Sequence, residues 1–288
     1  MEEFMNLQYS GSDDYIVSDD LKNSVNIAIT LQKPLLIKGE PGTGKTMLAE
    51  SIAKSMGKNL IIWNIKSTTE AKEGLYVYDT VQRLYDSQFG ENNVADIKRY
   101  IKLGKIGEAF TSDEQVILLI DEIDKADLEF PNDLLWELDR MSFYIPETKE
   151  TISSKHRPIV IITSNAEKEL PDAFLRRCIF HYIEFPSPEE MEKIVKVHHK
   201  DVESKLLHQA MEAFYSIREL PDINKKPSTS ELIDWIQALV TGGISPDKIK
   251  SEIPFMGVLL KKNEDFDILL KNIGRTGRKI PGFNGFHR

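Results

Sequence analysis

A glycine-rich stretch near the amino terminus is the first part of the chain whose residue types and spacing suggest chemistry. Residues 39–46 fit the pattern G-x-x-x-x-G-K-[ST], and they are Gly39, Glu40, Pro41, Gly42, Thr43, Gly44, Lys45 and Thr46. Glycines let the backbone N–H groups turn around phosphates, and a helix that follows points its positive end at them. The pattern predicts an ATP site. Lys45 would contact the β- and γ-phosphates, the Thr46 hydroxyl would ligate Mg²⁺, and Met47 would complete the loop contacts.

Two adjacent carboxylates come about 70 residues after this loop. The apolar run 116–120 precedes Asp121 and Glu122, as expected for a buried strand whose end delivers both side chains beside the loop. Asp121 is predicted to hold Mg²⁺, and Glu122 is placed to act as general base on the attacking water.

A second buried strand with a polar end follows later in the chain. The apolar run 159–163 leads into Ser164 and Asn165. An asparagine at this position is often only a turn former. Because the strand follows the acid pair in chain order, Asn165 is predicted to orient the attacking water or to contact the γ-phosphate.

The elements that must position these side chains are strands alternating with helices. Apolar runs predict strands near residues 35–37, 60–65, 116–120, 159–163 and 179–185, and helical patterns separate them, notably at 132–141. We therefore expect an α/β domain over residues 1–186, with a parallel sheet covered by helices on both faces. After Pro186 the patterns are helical only, which predicts a smaller all-helical domain over residues 187–288. One of its helices is expected to begin with a Ser228/Glu231 capping box.

Composition restricts the function classes. The chain has 288 residues, a formal net charge of −9 and a single cysteine, Cys178. The net negative charge argues against nucleic-acid binding as the main activity. A single cysteine excludes an intrachain disulfide. No apolar run is long enough to span a bilayer. We expect a soluble, cytoplasmic protein with no membrane association.

The three motifs together resemble Walker A, Walker B and sensor 1 of the AAA+ ATPases. The segments 121–126, 131–135, 170–178 and 226–235 are similar to those of the MoxR-like branch, and the resemblance covers roughly residues 15–240. It implies a P-loop NTPase (AAA+) α/β fold with a helical lid, and ATP hydrolysis with Mg²⁺ in a ring, expected to be a hexamer. It further implies remodelling or maturation of a protein partner, often one with a von Willebrand factor A domain.

The resemblance also suggests roles for residues outside the three motifs. Arg176 and Arg177 match the segment that supplies an arginine finger to the neighbouring subunit, and the position within the motif favours Arg176. Lys226 lies near the sensor 2 position, although a solvated lysine is the alternative. Tyr15, Ile16 and Val17 stand where adenine contacts are usual, or they form a hydrophobic staple before the first helix.

Two other functions share some of these motifs, and three further segments of the chain carry expectations of their own. A nucleic-acid-stimulated AAA+ motor or loader shares the motifs, and a small-molecule P-loop kinase shares the loop without needing sensor 1 or an arginine pair. Residues 69–110 form an insert that could face a pore or a substrate, and residues 143–158 are predicted to form a hairpin. The basic segment after Leu270 is expected to be a solvated tail or to contact an acidic partner or nucleotide.

Overall fold

The fold consists of two compact units. The computed structural model describes residues 9–89 and 94–276. The first unit comprises the described residues up to Gly39 together with Gly44–Ile183, and the second comprises Glu40–Thr43 and the described residues from Glu184 onward. Most of the basic tail, residues 277–288, lies outside the described residues. The domain boundary at residue 186 stays a prediction.

The first unit alternates strands and helices. Its strands are Leu35–Gly39 (β1), Leu60–Asn64 (β2), Tyr76–Tyr78 (β3), Ile101–Leu103 (β4), Ile117–Asp121 (β5), Ser142–Ile145 (β6), Glu150–Ser153 (β7), Ile159–Ser164 (β8) and Ile179–Ile183 (β9). Its α-helices are Asp19–Thr30 (α1), Lys45–Met56 (α2), Ala71–Leu75 (α3), Thr80–Phe89 (α4), Lys105–Thr111 (α5), Phe130–Asp133 (α6), Leu135–Arg140 (α7) and Asp172–Leu175 (α8). Ser18 caps α1 as its side chain predicts, accepting a hydrogen bond from the Leu21 N–H at 3.2 Å.

Five strands form the central parallel sheet, in the order β2-β5-β8-β1-β9, and this confirms the predicted α/β fold. Because successive side chains of a strand point to opposite faces, the apolar runs supply two cores at once. Leu36, Leu118 and Ile162 pack into one core, and Leu35, Leu119 and Ile161 pack into the other. The carboxyl ends of all five strands meet at one edge, where the polar residues of the three motifs begin.

The prediction of one continuous helix over residues 132–141 is wrong. The structure has two short helices, α6 and α7, separated at Leu134. The Leu134 N–H donates to the Pro131 carbonyl, three residues back, so the turn tightens and the helix restarts. Met141 then adopts a left-handed φ of 51°, which ends α7.

The insert at residues 69–110 folds into short elements of its own. Gly74 lies under the Trp63 ring, and a Cβ there would approach that ring to 2.3 Å. Tyr76 is also buried, and its ring stacks on Phe143 of the hairpin β6–β7 with centroids 6.1 Å apart. The hairpin itself is confirmed, with β6 antiparallel to β7.

The second unit is helical. Its helices are Pro188–His198 (α9), Ser204–Glu219 (α10), Thr229–Thr241 (α11), Pro246–Ser251 (α12), Met256–Leu259 (α13) and Asn263–Thr276 (α14). Trp235 and Phe214 are at the centre of its core. The Ser228/Glu231 capping box is confirmed at the start of α11. Across both units, no helix among the described residues combines the length and apolarity that crossing a bilayer requires.

Candidate active site

The glycine-rich loop joins β1 to α2, as its pattern predicts. Gly42 and Gly44 adopt left-handed φ angles of 77° and 82°, which side chains other than glycine rarely accept. Lys45 begins α2 and is only 6% exposed, and its Nζ donates to the Gly39 carbonyl at 2.9 Å. The lysine therefore lies folded back along its own loop.

The Thr46 hydroxyl and the Asp121 carboxylate face each other at the carboxyl edge of the sheet. Thr46 Oγ1 lies 3.1 and 3.2 Å from the two carboxylate oxygens of Asp121. No group of three or more His, Cys, Asp or Glu side chains among the described residues is arranged for a metal. The hydroxyl and carboxylate nevertheless fit Mg²⁺, which prefers oxygen ligands and typically takes one or two protein ligands plus phosphate and water.

Glu122 is held at both carboxylate oxygens. Asn165 Nδ2 donates to Glu122 Oε1 at 2.9 Å, and the Lys125 ammonium pairs with Oε2. Glu122 also has a left-handed φ of 58°, which turns its side chain out of the strand direction. The pair raises the pKa of Lys125 above its usual value, chiefly through the hydrogen bond from its ammonium. Because Lys125 is 43% exposed, this ion pair is weak, and water can replace it at Oε2.

Thr163 connects the two acidic residues to the neighbouring strand. It is fully buried in β8, and its hydroxyl donates to Asp121 Oδ1 at 2.6 Å while accepting from the Glu122 N–H at 2.8 Å. Sequence patterns missed this residue, although a threonine at the end of an otherwise apolar run was a usable signal. Its hydroxyl accepts the hydrogen bond of the first N–H after β5, that of Glu122.

We expect Thr163→Val to destabilise the protein by about 1–3 kcal/mol, because an isosteric methyl leaves the partly buried Glu122 N–H without its acceptor. Urea denaturation of wild type and variant measures the difference. Thr163→Ser is the matched control, since it keeps the hydroxyl and loses only the methyl group. A valine variant as stable as wild type would contradict the role given to the hydroxyl.

The two arginines lie far from the phosphate loop of their own chain. β9 runs parallel to β1, with Leu35 opposite Ile179 and Gly39 opposite Ile183. Arg176 and Arg177 precede β9, whereas the loop follows β1, so a whole strand separates them, about 16 Å at 3.3 Å per residue. Arg177 is engaged locally, with Nε donating to Asp139 at 2.6 Å. Arg176 is exposed and forms no ion pair with the described residues.

The three residues before α1 that were predicted to contact adenine, Tyr15, Ile16 and Val17, have different surroundings in the structure. Tyr15 packs against the phosphate loop, since a Cβ on Gly44 would lie 3.2 Å from its ring, and burial raises the pKa of the phenol well above its usual range. Ile16 is 41% exposed, and Val17 packs on the core beside α1. Because the fourth helical position is Lys22, no apolar partner for a staple stands there. Met47 is 38% exposed at the start of α2.

Within the second unit, a cation that sequence reasoning did not single out contacts a loop residue. Arg218 Nη2 donates to Glu40 Oε2 at 2.7 Å, and its guanidinium lies 3.3 Å from the centre of the Phe185 ring. Lys226 is exposed, and no hydrogen bond or ion pair ties its side chain to the described residues. Arg218 and Glu40 are 178 positions apart, so no local pattern links them.

The part of the chain that contains these motifs is similar to known proteins. The family described as "ATPase family associated with various cellular activities (AAA)" matches residues 35–187, more than half of the chain. Pachytene checkpoint protein 2 of Saccharomyces cerevisiae is 26% identical over 203 residues, covering 62% of this chain and 33% of that protein. Midasin of Giardia intestinalis is 27% identical over 175 residues, covering 57% of this chain and 3% of midasin. The AAA domain-containing protein ycf46 of Gracilaria tenuistipitata var. liui is 30% identical over 182 residues, covering 62% of this chain and 32% of ycf46. The matches thus span a third or less of these relatives.

Proposed function

Because the chain belongs to the AAA family of ATPases, we propose that it binds ATP with Mg²⁺ and hydrolyses it to ADP and phosphate. The observation that carries this proposal is the convergence of four side chains at one sheet edge. Thr46 faces Asp121 across 3.1 Å, and Asn165 donates to Glu122 at 2.9 Å. Thr46 and Asp121 have the oxygen atoms that a metal–phosphate complex needs. Glu122, oriented by Asn165, can accept a proton from an attacking water molecule.

The proposed reaction divides between these two pairs. The loop N–H groups and Lys45 bind and orient the phosphates, and Thr46 with Asp121 would hold the Mg²⁺. When bound, Mg²⁺ neutralises charge on the β- and γ-phosphate oxygens. Asn165 orients the Glu122 carboxylate, which accepts a proton as water attacks the γ-phosphorus. The bond between that phosphorus and the bridging oxygen breaks, and ADP leaves with the electron pair.

We further propose that the active form is a ring, expected to be a hexamer, in which Arg176 completes the site of a neighbour. The distance of Arg176 from the loop of its own chain supports this, because a guanidinium at the opposite sheet edge serves phosphates only in trans. Arginine fingers are worth about 10³–10⁵ in rate in the GTPases that calibrate the effect. Arg177 is the less suitable finger, since Asp139 and the Ala173 carbonyl already engage it.

Arg176→Ala is expected to bind ATP normally and to hydrolyse it at least 100-fold more slowly. Mixing it with Glu122→Gln subunits is then expected to restore part of the activity, because some interfaces join an intact Glu122 to an intact Arg176. Phosphate release from mixtures of defined ratio measures this, after sedimentation has shown that both variants assemble. Complementation that fails in rings of proven composition would mean that the arginine serves its own subunit.

For the cellular role, we propose a MoxR-like chaperone that remodels or matures a protein partner, the candidates being proteins with a von Willebrand factor A domain. The motif segments at 170–178 and 226–235 support this branch. The test is to measure phosphate release with and without a purified von Willebrand factor A domain, and separately with DNA or RNA. Stimulation by the protein alone is expected, and stimulation by nucleic acid alone would favour a motor or loader instead.

A further inference from the structure

A buried carboxylate next to the acid pair connects the two catalytic loops. Asp124 lies in the 3-10 turn Ile123–Lys125 that follows Glu122, and it is only 2% exposed. Its Oδ2 accepts from the Glu167 N–H at 2.9 Å, and its Oδ1 accepts from the Asn165 N–H at 3.3 Å. Both donors belong to the loop that leaves β8. The carboxylate therefore holds the backbone of the residue whose side chain orients Glu122.

The backbone on both sides of this carboxylate is conformationally unfavourable. Glu122 and Ala166 have φ angles of 58° and 59°, and neither is a glycine. Ala166 lies between the two N–H groups that Asp124 accepts, so the loop forms an anion-binding concavity around the carboxylate. Left-handed non-glycine residues persist only where surrounding contacts over-determine them. Asp124 is the contact that fixes both N–H groups flanking Ala166.

Other contacts join the same two segments. Lys168 Nζ donates to the Ala126 carbonyl at 2.8 Å, and the Thr163 hydroxyl accepts from the Glu122 N–H. The first of these contacts joins Lys168 to Ala126, and the second joins Thr163 to Glu122, so neither involves Asn165. Only the Asp124 carboxylate, among the described contacts, acts on the backbone of Asn165 itself. A shift of that backbone moves the amide group that contacts Glu122 Oε1.

We propose that Asp124 is a positioning residue for ATP hydrolysis, setting Asn165 and through it Glu122, without contacting the substrate. This inference rests on the proposed function, since it assigns a role within that reaction. The groups proposed to bind the phosphates lie on the loop between β1 and α2 and at the start of α2, whereas the two N–H groups that donate to Asp124 belong to the loop after β8. Loss of Asp124 should therefore lower kcat and leave ATP affinity nearly unchanged, because a misplacement of about 1 Å costs on the order of 100-fold in rate.

The test compares Asp124→Ala and Asp124→Asn with the matched control Asp127→Ala, which removes the same charge at an exposed position of the same segment. We expect kcat to fall about 100-fold in Asp124→Ala, with an ATP dissociation constant within threefold of wild type. Asp124→Asn should recover part of the rate, since its amide oxygen still accepts one N–H. Asp127→Ala should hydrolyse ATP at the wild-type rate.

A double variant separates positioning from general destabilisation. If Asp124 acts through Glu122, adding Asp124→Asn to Glu122→Gln should not slow the residual rate further. The inference is overturned if Asp124→Ala keeps kcat within threefold of wild type. It is also overturned if kcat, ATP affinity and folded fraction fall together in both Asp124 variants. A wild-type protein that does not hydrolyse ATP would instead remove the proposed function, independently of any Asp124 result.

Discussion

Glu122→Gln is expected to bind ATP with near wild-type affinity and to hydrolyse it about 10²–10⁴ times more slowly. Glutamine keeps the shape of the side chain and can still contact Asn165, but its amide cannot accept a proton from water. The groups proposed to bind the phosphates, Lys45 and the loop backbone, are untouched. Calorimetric titration with ATP and a phosphate-release assay measure the two quantities separately.

The matched control for this prediction is Glu169→Gln, which neutralises an exposed carboxylate in the loop after β8. It should bind and hydrolyse ATP as wild type does. A Glu122→Gln variant that turns over within a few-fold of wild type would show that another group takes the proton. Loss of ATP binding in that variant would show that Glu122 belongs to the binding contacts.

Lys45→Ala should lose ATP binding, with a dissociation constant raised by at least about 100-fold. The Lys45 ammonium is buried at the start of α2, and charge-assisted hydrogen bonds to phosphate are worth about 1.5–3 kcal/mol each. Hydrolysis should disappear as a consequence, because no nucleotide remains bound. The titration used for Glu122→Gln measures this affinity as well.

Lys54→Ala serves as the control, since it removes an exposed lysine from the same helix. Its ion pair with Asp14 is solvent-exposed, so its loss should change stability and ATP affinity little. Near wild-type ATP affinity in Lys45→Ala would contradict the assignment of residues 39–46 as the phosphate site.

The sheet and the residues at its edge were predictable because both depend on local patterns. Uninterrupted apolar runs specify buried parallel strands, and a strand end determines where Asp121 and Asn165 emerge. The loop pattern requires glycines at 42 and 44, and both have the left-handed φ that explains them. Local patterns failed at residues 132–141, where periodicity favoured one helix and the turn at Leu134 broke it in two.

The contacts that position the site could not be predicted, because they join residues far apart in the chain. Asp124 and the loop it holds are about 40 positions apart, as are Thr163 and Asp121. An acidic residue after the Walker B pair is equally compatible with an exposed turn. Only the burial of Asp124 and its two backbone donors distinguish a positioning residue from a solvated one.

A single-turnover experiment tests the central proposal, ATP hydrolysis at this sheet edge, most directly. Labelled ATP and Mg²⁺ are mixed with excess protein at a concentration where sedimentation shows assembly, and the bound nucleotide is separated and identified over time. We expect wild type to hold ADP, Glu122→Gln to hold ATP and Lys45→Ala to hold neither. Wild type that keeps its ATP intact, or Glu122→Gln that converts ATP at the wild-type rate, would contradict the proposal.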